Sequence, residues 1–316
     1  MELQAFIEFA ERYKNWGRWG EEDEIGTLNF VTPEHIVEAC RLVRTGRIFA
    51  LAIPFDEKGP QRPRADSRRF NPIHTMLVTG FDAEGMTSDN PPVRHSTDDM
   101  IAMPLQGATQ WDSLAHIVFQ GKMYNGRPYS LVDGKGAHKN SITAMKSQAM
   151  GRGVLLDVAR HRGVDWLTPG EAIEGEELEE CAARQGVAVK EGDFLLVRTG
   201  NLAMCRDLPG WGEFAGGARP GLGLSSIPWL HEKRVAAVAA DNYGVEVHPP
   251  QVEGLQRSPL HLACIANMGL LFGEIFDMED LAADCANDRV YEFLFVAPPL
   301  PVTRAVGSPI NPYAVK

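Results

Sequence analysis

The stretch MELQAFIEFAERYKNW sets Leu3, Phe6, Ile7, Ala10 and Tyr13 at helical spacing with acidic residues between them, which predicts an amphipathic N-terminal helix. A glycine-punctuated loop carrying Trp16 and Trp19 runs from there to Asn29, and loops of this kind often hold functional residues. Thr32 and Pro33 read as the N-cap and first residue of a second helix, passing through His35, Val37, Ala39 and Leu42 to Gly46. The segment from Asp56 to Asn71, rich in proline, arginine and aspartate, reads as an exposed loop before the strand-like HTMLVTGF. The runs GVLLDV (153–158), DFLLVRTG (193–200), VAAVAADN (235–242) and EFLFVAPPL (292–300) are short and unbroken, as buried strands should be. Between them a helix is predicted over about 176–185, after the capping-box sequence at Thr168–Glu171, and Asp277 is expected to cap another through MEDLAADCAND. Helices alternating with strands predict an α/β fold with a mostly buried sheet. No repeat or composition break divides the chain, so residues 1–316 are expected to form one domain with an N-terminal helical arm over about 1–46.

A hydrophobic share of 44% with 23% charged residues fits a globular protein, and a formal net charge of −11 without a lysine/arginine cluster argues against nucleic acid as a partner. The N-terminal stretch lacks the pattern of a signal or transit peptide, and no apolar run approaches the roughly 20 residues that span a bilayer. A cytoplasmic protein without a membrane partner is therefore expected. Cys40, Cys181, Cys205, Cys264 and Cys285 are scattered and odd in number, which favours buried free thiols over disulfides or a thiolate metal site.

Three places concentrate chemistry. Asp112 and His116, four residues apart in MPLQGATQWDSLAH, would share a face if this stretch were helical and could converge on a cation; a turn aspartate paired with a histidine fits the spacing too. Gln106 and Gln110 lie close by, but amide oxygens are weak ligands for zinc. His261 and Glu274 stand among apolar residues, where an ionised glutamate needs a partner, either a metal or one of the arginines. Asp241, Asn242, Glu246 and His248 directly follow an apolar strand, the end of an α/β sheet where ligands bind, and equally suit a capped loop. His74, His95, His138, His161 and His231 have no ligand-like neighbours in sequence, and GxSxG, GxGxxG, Walker A and HExxH are absent.

QGATQWDSLAH resembles the signature H-x-G-T-H-x-D-x-x-x-H of the cyclase family of metal-dependent hydrolases, to which bacterial kynurenine formamidase and isatin hydrolase belong. DEIGTLN (23–29), GDFLLVRTG (192–200), AADNYGVEVHP (239–249), LH…GE (260–274) and VGSPINPYAV (306–315) look like further landmarks in family order, so the resemblance covers nearly the whole chain. It implies a swivelling β/β/α cyclase-like domain, its sheet mostly buried and flanked by helices.

Carried over by position, the family's metal ligands fall on Gln106, Gln110, Asp112, His116, His261 and Glu274. Two are glutamines where the family has histidines, which separates the chain from the motif that accompanies kynurenine formamidase activity. The set Asp112, His116, His261 and Glu274 is complete, and implies one divalent ion per chain, zinc or manganese, rather than two. The implied activity is hydrolysis of a small cyclic or acyl amide or a lactone by a metal-activated water, with Glu274 or His116 moving the proton. Gln106 and Gln110 are then expected to bond substrate or the bound water, with Trp111, Tyr124 and Trp19, together with Phe119 and Trp16, as walls for a ring-containing substrate. The resemblance also implies a homodimer or homotetramer. Two other readings remain open: a lyase or cyclase that eliminates water or closes a ring, with or without metal, and a catalytically silent ligand-binding protein.

Overall fold

The computed structural model describes residues 1–64, 67–82, 96–255 and 258–316. Its strands are β1 (Ile48–Ala50), β2 (Ile73–Val78), β3 (Asp98–Ala102), β4 (Gln110–Asp112), β5 (Met150–Asp157), β6 (Phe194–Arg198), β7 (Ala237–Ala240), β8 (Leu271–Glu274), β9 (Glu292–Val296), β10 (Gly307–Pro309) and β11 (Tyr313–Val315), besides four strands of two residues. Nine of them form one sheet in the order β1-β11-β9-β5-β6-β7-β8-β4-β10. β5 through β8 are parallel neighbours and the remaining pairings are antiparallel. Every residue of β6, β7 and β8 is buried, which accounts for their unbroken apolar runs: a parallel strand covered on both faces has no solvent side to keep polar.

The helices that cover the sheet are α1 (Leu3–Glu11), α2 (Pro33–Cys40), α3 (Gly175–Gln185), α4 (Ser226–Lys233) and α5 (Glu279–Asp288). Thr32 caps α2 as expected, accepting from the His35 N–H at 3.3 Å, but the helix stops at Cys40, well short of Gly46. α5 begins at Glu279 without a side-chain cap of ordinary geometry, because Asp277 reaches the Glu279 N–H only at 3.5 Å. The N-terminal arm is docked on its own chain, with Asn15, Trp16 and Thr27 donating to the carbonyls of Asn267, Ala266 and Gly269. Four of the five cysteines are buried and all are free; Cys40 is exposed. Among the described residues no helix is long and apolar enough to cross a membrane.

Candidate metal centre

β4 and β8 lie side by side with Phe272 opposite Asp112, Gly273 opposite Trp111 and Glu274 opposite Gln110. Because paired residues of antiparallel strands share a face and successive residues alternate, Gln110, Asp112, Phe272 and Glu274 point one way and Trp111 the other. The stretch around Asp112 is thus a strand followed by a turn and not the helix that would pair positions four apart. His116 still reaches Asp112, its Nε2 lying 3.7 Å from Oδ1, because the turn closed by the His116 N–H on the Ser113 carbonyl folds it back.

His261 arrives from the far side. It ends the helical turn Pro259–His261, which runs into a π-helical stretch, Leu262–Met268, before β8. Wide turns of this type often occur at functional sites. The imidazole packs edge-on against Phe272, with centroids 4.9 Å apart, and Glu246 takes up its Nδ1 while also accepting from the Leu260 N–H at 2.8 Å. Nε2 is left facing Glu274 Oε1 at 3.2 Å and Asp112 Oδ2 at 3.8 Å. The donor atoms of Asp112, His261 and Glu274 lie within 4.8 Å of one another, and all three residues are buried.

The polar accounting points to a cation. Both carboxylate oxygens of Asp112 and Oε2 of Glu274 are buried without a hydrogen-bond partner. Leaving a buried polar atom unpaired costs roughly 1–3 kcal/mol, and more when it is charged. One imidazole nitrogen and two carboxylates, with His116 at the edge, form a donor set that fits a divalent ion. Without one, burial pushes the Asp112 carboxyl up, against the pull of His116 and His261. Burial alone would lower His261, but Glu246 and Glu274 outweigh it and raise its pKa to about 10. Burial works against ionised Glu274 too, yet the hydrogen bond and charge of His261 bring it down to about 2. The His261 proton therefore occupies the electrostatic place of a cation, and the two compete for the same carboxylates.

The trio opens on a cavity of about 430 Å³ whose lining includes His116, His261, Glu274, Arg64, Arg68, Arg69, Arg219, Tyr243 and His248. Asp112, His116, His261 and Glu274 are thereby brought together, with His116 outermost at 22% side-chain exposure. None of the expected pocket walls lines this cavity. Trp111 is a core residue, because strand alternation turns it away from Asp112 into the space left by Gly273, where it packs on Phe276 and Phe295 and donates to the Ala297 carbonyl at 2.8 Å. Tyr124 is fully buried and bonds Asp23 at 2.8 Å, Trp19 packs edge-on against Phe30 in the N-terminal loop, Phe119 packs on Phe6, and Trp16 donates to the Ala266 carbonyl. Gln106 and Gln110 are buried and do not line the cavity either, and their amide groups are incompletely satisfied: Nε2 of Gln106 and both polar atoms of Gln110 have no partner among the described residues. Gly307, paired with Asp112, admits the Gln106 amide, for a Cβ there would lie 2.3 Å from its Nε2.

The polar residues after β7 divide between loop and site. Asp241 accepts from the Thr199 and Gly200 backbone, and Asn242 donates to Pro220, whereas Glu246 orients His261 and His248 lines the cavity. Of the other histidines, His74 and His138 pair with Asp99 and Asp133, His161 ends a short helix, His231 packs on Tyr13, and His95 lies outside the described residues. The cavity's arginines had only a weak signature in sequence: Arg64, Arg68 and Arg69 belong to the loop expected to be exposed, and Arg219 stands in a glycine-rich stretch without a motif.

A profile of the cyclase family matches residues 28–247. A crystal structure described as that of a novel cyclase is 41% identical, with a TM-score of 0.88 over 97% of this chain and 99% of that one. Isatin hydrolase A from Ralstonia solanacearum superposes with a TM-score of 0.63 at 17% identity, covering 85% of this chain and 92% of its own. An isatin hydrolase bound to the product analogue thioisatinate gives 0.62 at 14% identity, over 90% and 98% respectively. No curated protein matches.

Proposed function

The chain belongs to the cyclase family, and from that premise we propose that it is a metal-dependent hydrolase of a small cyclic or acyl amide or of a lactone. The observation that carries this reading is the buried trio of Asp112, His261 and Glu274, three of whose carboxylate oxygens have no partner. The isatin hydrolases among its fold relatives support the same reaction class.

Asp112, His261 and Glu274, joined by His116, would hold one zinc or manganese ion, and such an ion supplies a water of pKa near 7 and a polarised carbonyl. Glu246 fixes the His261 ring through Nδ1, so that Nε2 is the nitrogen presented to the site. His116 touches both the Asp112 carboxylate and the cavity, and is the group placed to carry a proton between the reacting atoms and solvent. Glu274, engaged through Oε1 but not Oε2, is the second candidate for that task. Gln106 and Gln110 put neutral amides where a second ion would need histidines, keeping that place polar without further charge.

Elemental analysis of protein prepared without chelator or histidine tag tests the reading. About one ion per chain is expected, lost in Asp112→Ala. Absence of stoichiometric metal, even after zinc or manganese is added, overturns it. The neutral glutamines favour one second reading, a lyase or ring-closing enzyme that uses no hydrolytic water. Product formed in oxygen-labelled water carries the label if the enzyme is a hydrolase and lacks it otherwise.

A further inference from the structure

Arg219 is a charged side chain only 8% exposed, and its Nε has no hydrogen-bond partner. Among the described residues the one hydrogen bond its guanidinium makes is weak, a 3.5 Å approach of Nη1 to the Gly217 carbonyl. Among the described residues it forms no ion pair, and neither does Arg69, a half-buried guanidinium of the same cavity. The buried carboxylates act on the two arginines through space, Glu246 and Glu274 on Arg219 and Glu274 and Asp112 on Arg69, but among the described residues none is in ion-pair or hydrogen-bond contact with either, and Glu246 is already taken by His261 and the Leu260 N–H.

The surroundings hold the pair in place. The backbone of Arg219 is clamped to His248 by two hydrogen bonds, 2.9 and 3.1 Å long. Its guanidinium lies 6.0 Å from the Tyr243 ring centroid, that of Arg69 lies 5.6 Å from the same ring, and Arg69 Nη1 donates to the Tyr243 hydroxyl at 3.0 Å. Gly244 makes room, since a Cβ there would lie 2.9 Å from Arg219 Nη2. Arg69, Arg219, Tyr243 and Gly244 line the same cavity as His116, His261 and Glu274. A rigid planar fork, desolvated and with no carboxylate in direct contact among the described residues, matches a carboxylate in geometry and charge.

We propose that Arg219 and Arg69 form a carboxylate-binding subsite beside the candidate metal centre, so that the substrate is an anion whose own acid group is held away from the reacting bond. The inference deepens the hydrolase reading and rests on it for the word substrate, but the subsite itself needs neither metal nor turnover. The competing source of a carboxylate is the acid released by hydrolysis, which would form at the trio instead of at the arginines.

The test is calorimetric titration, at constant ionic strength, of the full chain with benzoate and with its neutral isostere benzamide, in wild type, Arg219→Gln, Arg69→Gln and Asp112→Ala. Wild type should bind benzoate at least about tenfold more tightly than benzamide. That preference should be lost in Arg219→Gln, weakened in Arg69→Gln and kept in Asp112→Ala, whose metal content is measured alongside. If Arg219→Gln does not fold, loss of the preference in Arg69→Gln supports the subsite and its persistence there overturns it. Benzoate binding that survives both arginine changes and disappears in Asp112→Ala places the carboxylate on the trio and overturns the proposal, as does no benzoate binding at all up to roughly 10 mM. A chain that holds no metal yet binds benzoate through Arg219 sinks the hydrolase reading and leaves the subsite standing.

Discussion

At the scale of single residues the site depends on a histidine held from behind. Glu246 fixes the tautomer and orientation of His261, and partners of this kind are worth about 10- to 100-fold in metal affinity. Glu246→Ala is therefore expected to weaken zinc or manganese binding by about that factor with the fold intact, which competition against a calibrated chelator measures; unchanged affinity would remove Glu246 from the site. The signal for Glu246 lay in its sequence setting, directly after an apolar strand. Its partner could not be read there, because His261 comes 15 residues later on a different element.

At the scale of elements, the register of β4 against β8 decides what the family-like motif does. One strand face carries Gln110, Asp112 and Glu274, of which Glu274 lines the cavity, and the other sends Trp111 into the core over Gly273. A Cβ on residue 273 would lie 2.6 Å from Trp111 Cζ3 and 2.8 Å from both Ala239 Cβ and Phe276 Cε2. Gly273→Ala is thus expected to destabilise the fold by roughly 1–3 kcal/mol through overpacking, read as a lower urea midpoint at unchanged slope. A midpoint equal to wild type would mean that Trp111 can move aside and that the register is not set by this contact.

At the scale of the molecule, the buried Asp241 couples the sheet to pH. Burial outweighs the hydrogen bonds from Thr199 and Gly200 and raises its pKa from 3.8 to about 6. The native state therefore binds this proton more tightly than the unfolded chain does. Its contribution to stability is least favourable above pH 6, grows as pH falls through 6, and is complete below 3.8. The stability difference between wild type and Asp241→Asn should accordingly shift toward wild type between pH 7 and about 4.5, a trend that urea midpoints at the two values check. Self-association is a proposal at the same scale. Among the described residues the β2–β3 pair joins no other strand, and it exposes Ile73, Met76, Leu77, Met100 and Ile101; two strands alone are marginal in water. We expect a dimer in sedimentation analysis that a Leu77→Lys/Ile101→Lys double variant dissociates.

The sequence by itself determined the α/β class, the strands near residues 153, 193, 235 and 292, although the last is buried on one face only, and the identity of Asp112, His116, His261 and Glu274 as candidates. Apolar runs and local spacing carry that information because burial acts on each strand separately. Only the tertiary structure decided which way the residues face. Strand alternation put Trp111 in the core, a turn and not a helix folded His116 onto Asp112, and Arg64, Ser67, Arg68 and Arg69 of the partly exposed loop came to line the cavity. The Trp111 and Arg69 outcomes depend on contacts between segments more than 100 residues apart, such as β4 with β8 and Arg69 with Tyr243, which no local pattern encodes, whereas the His116 turn is local.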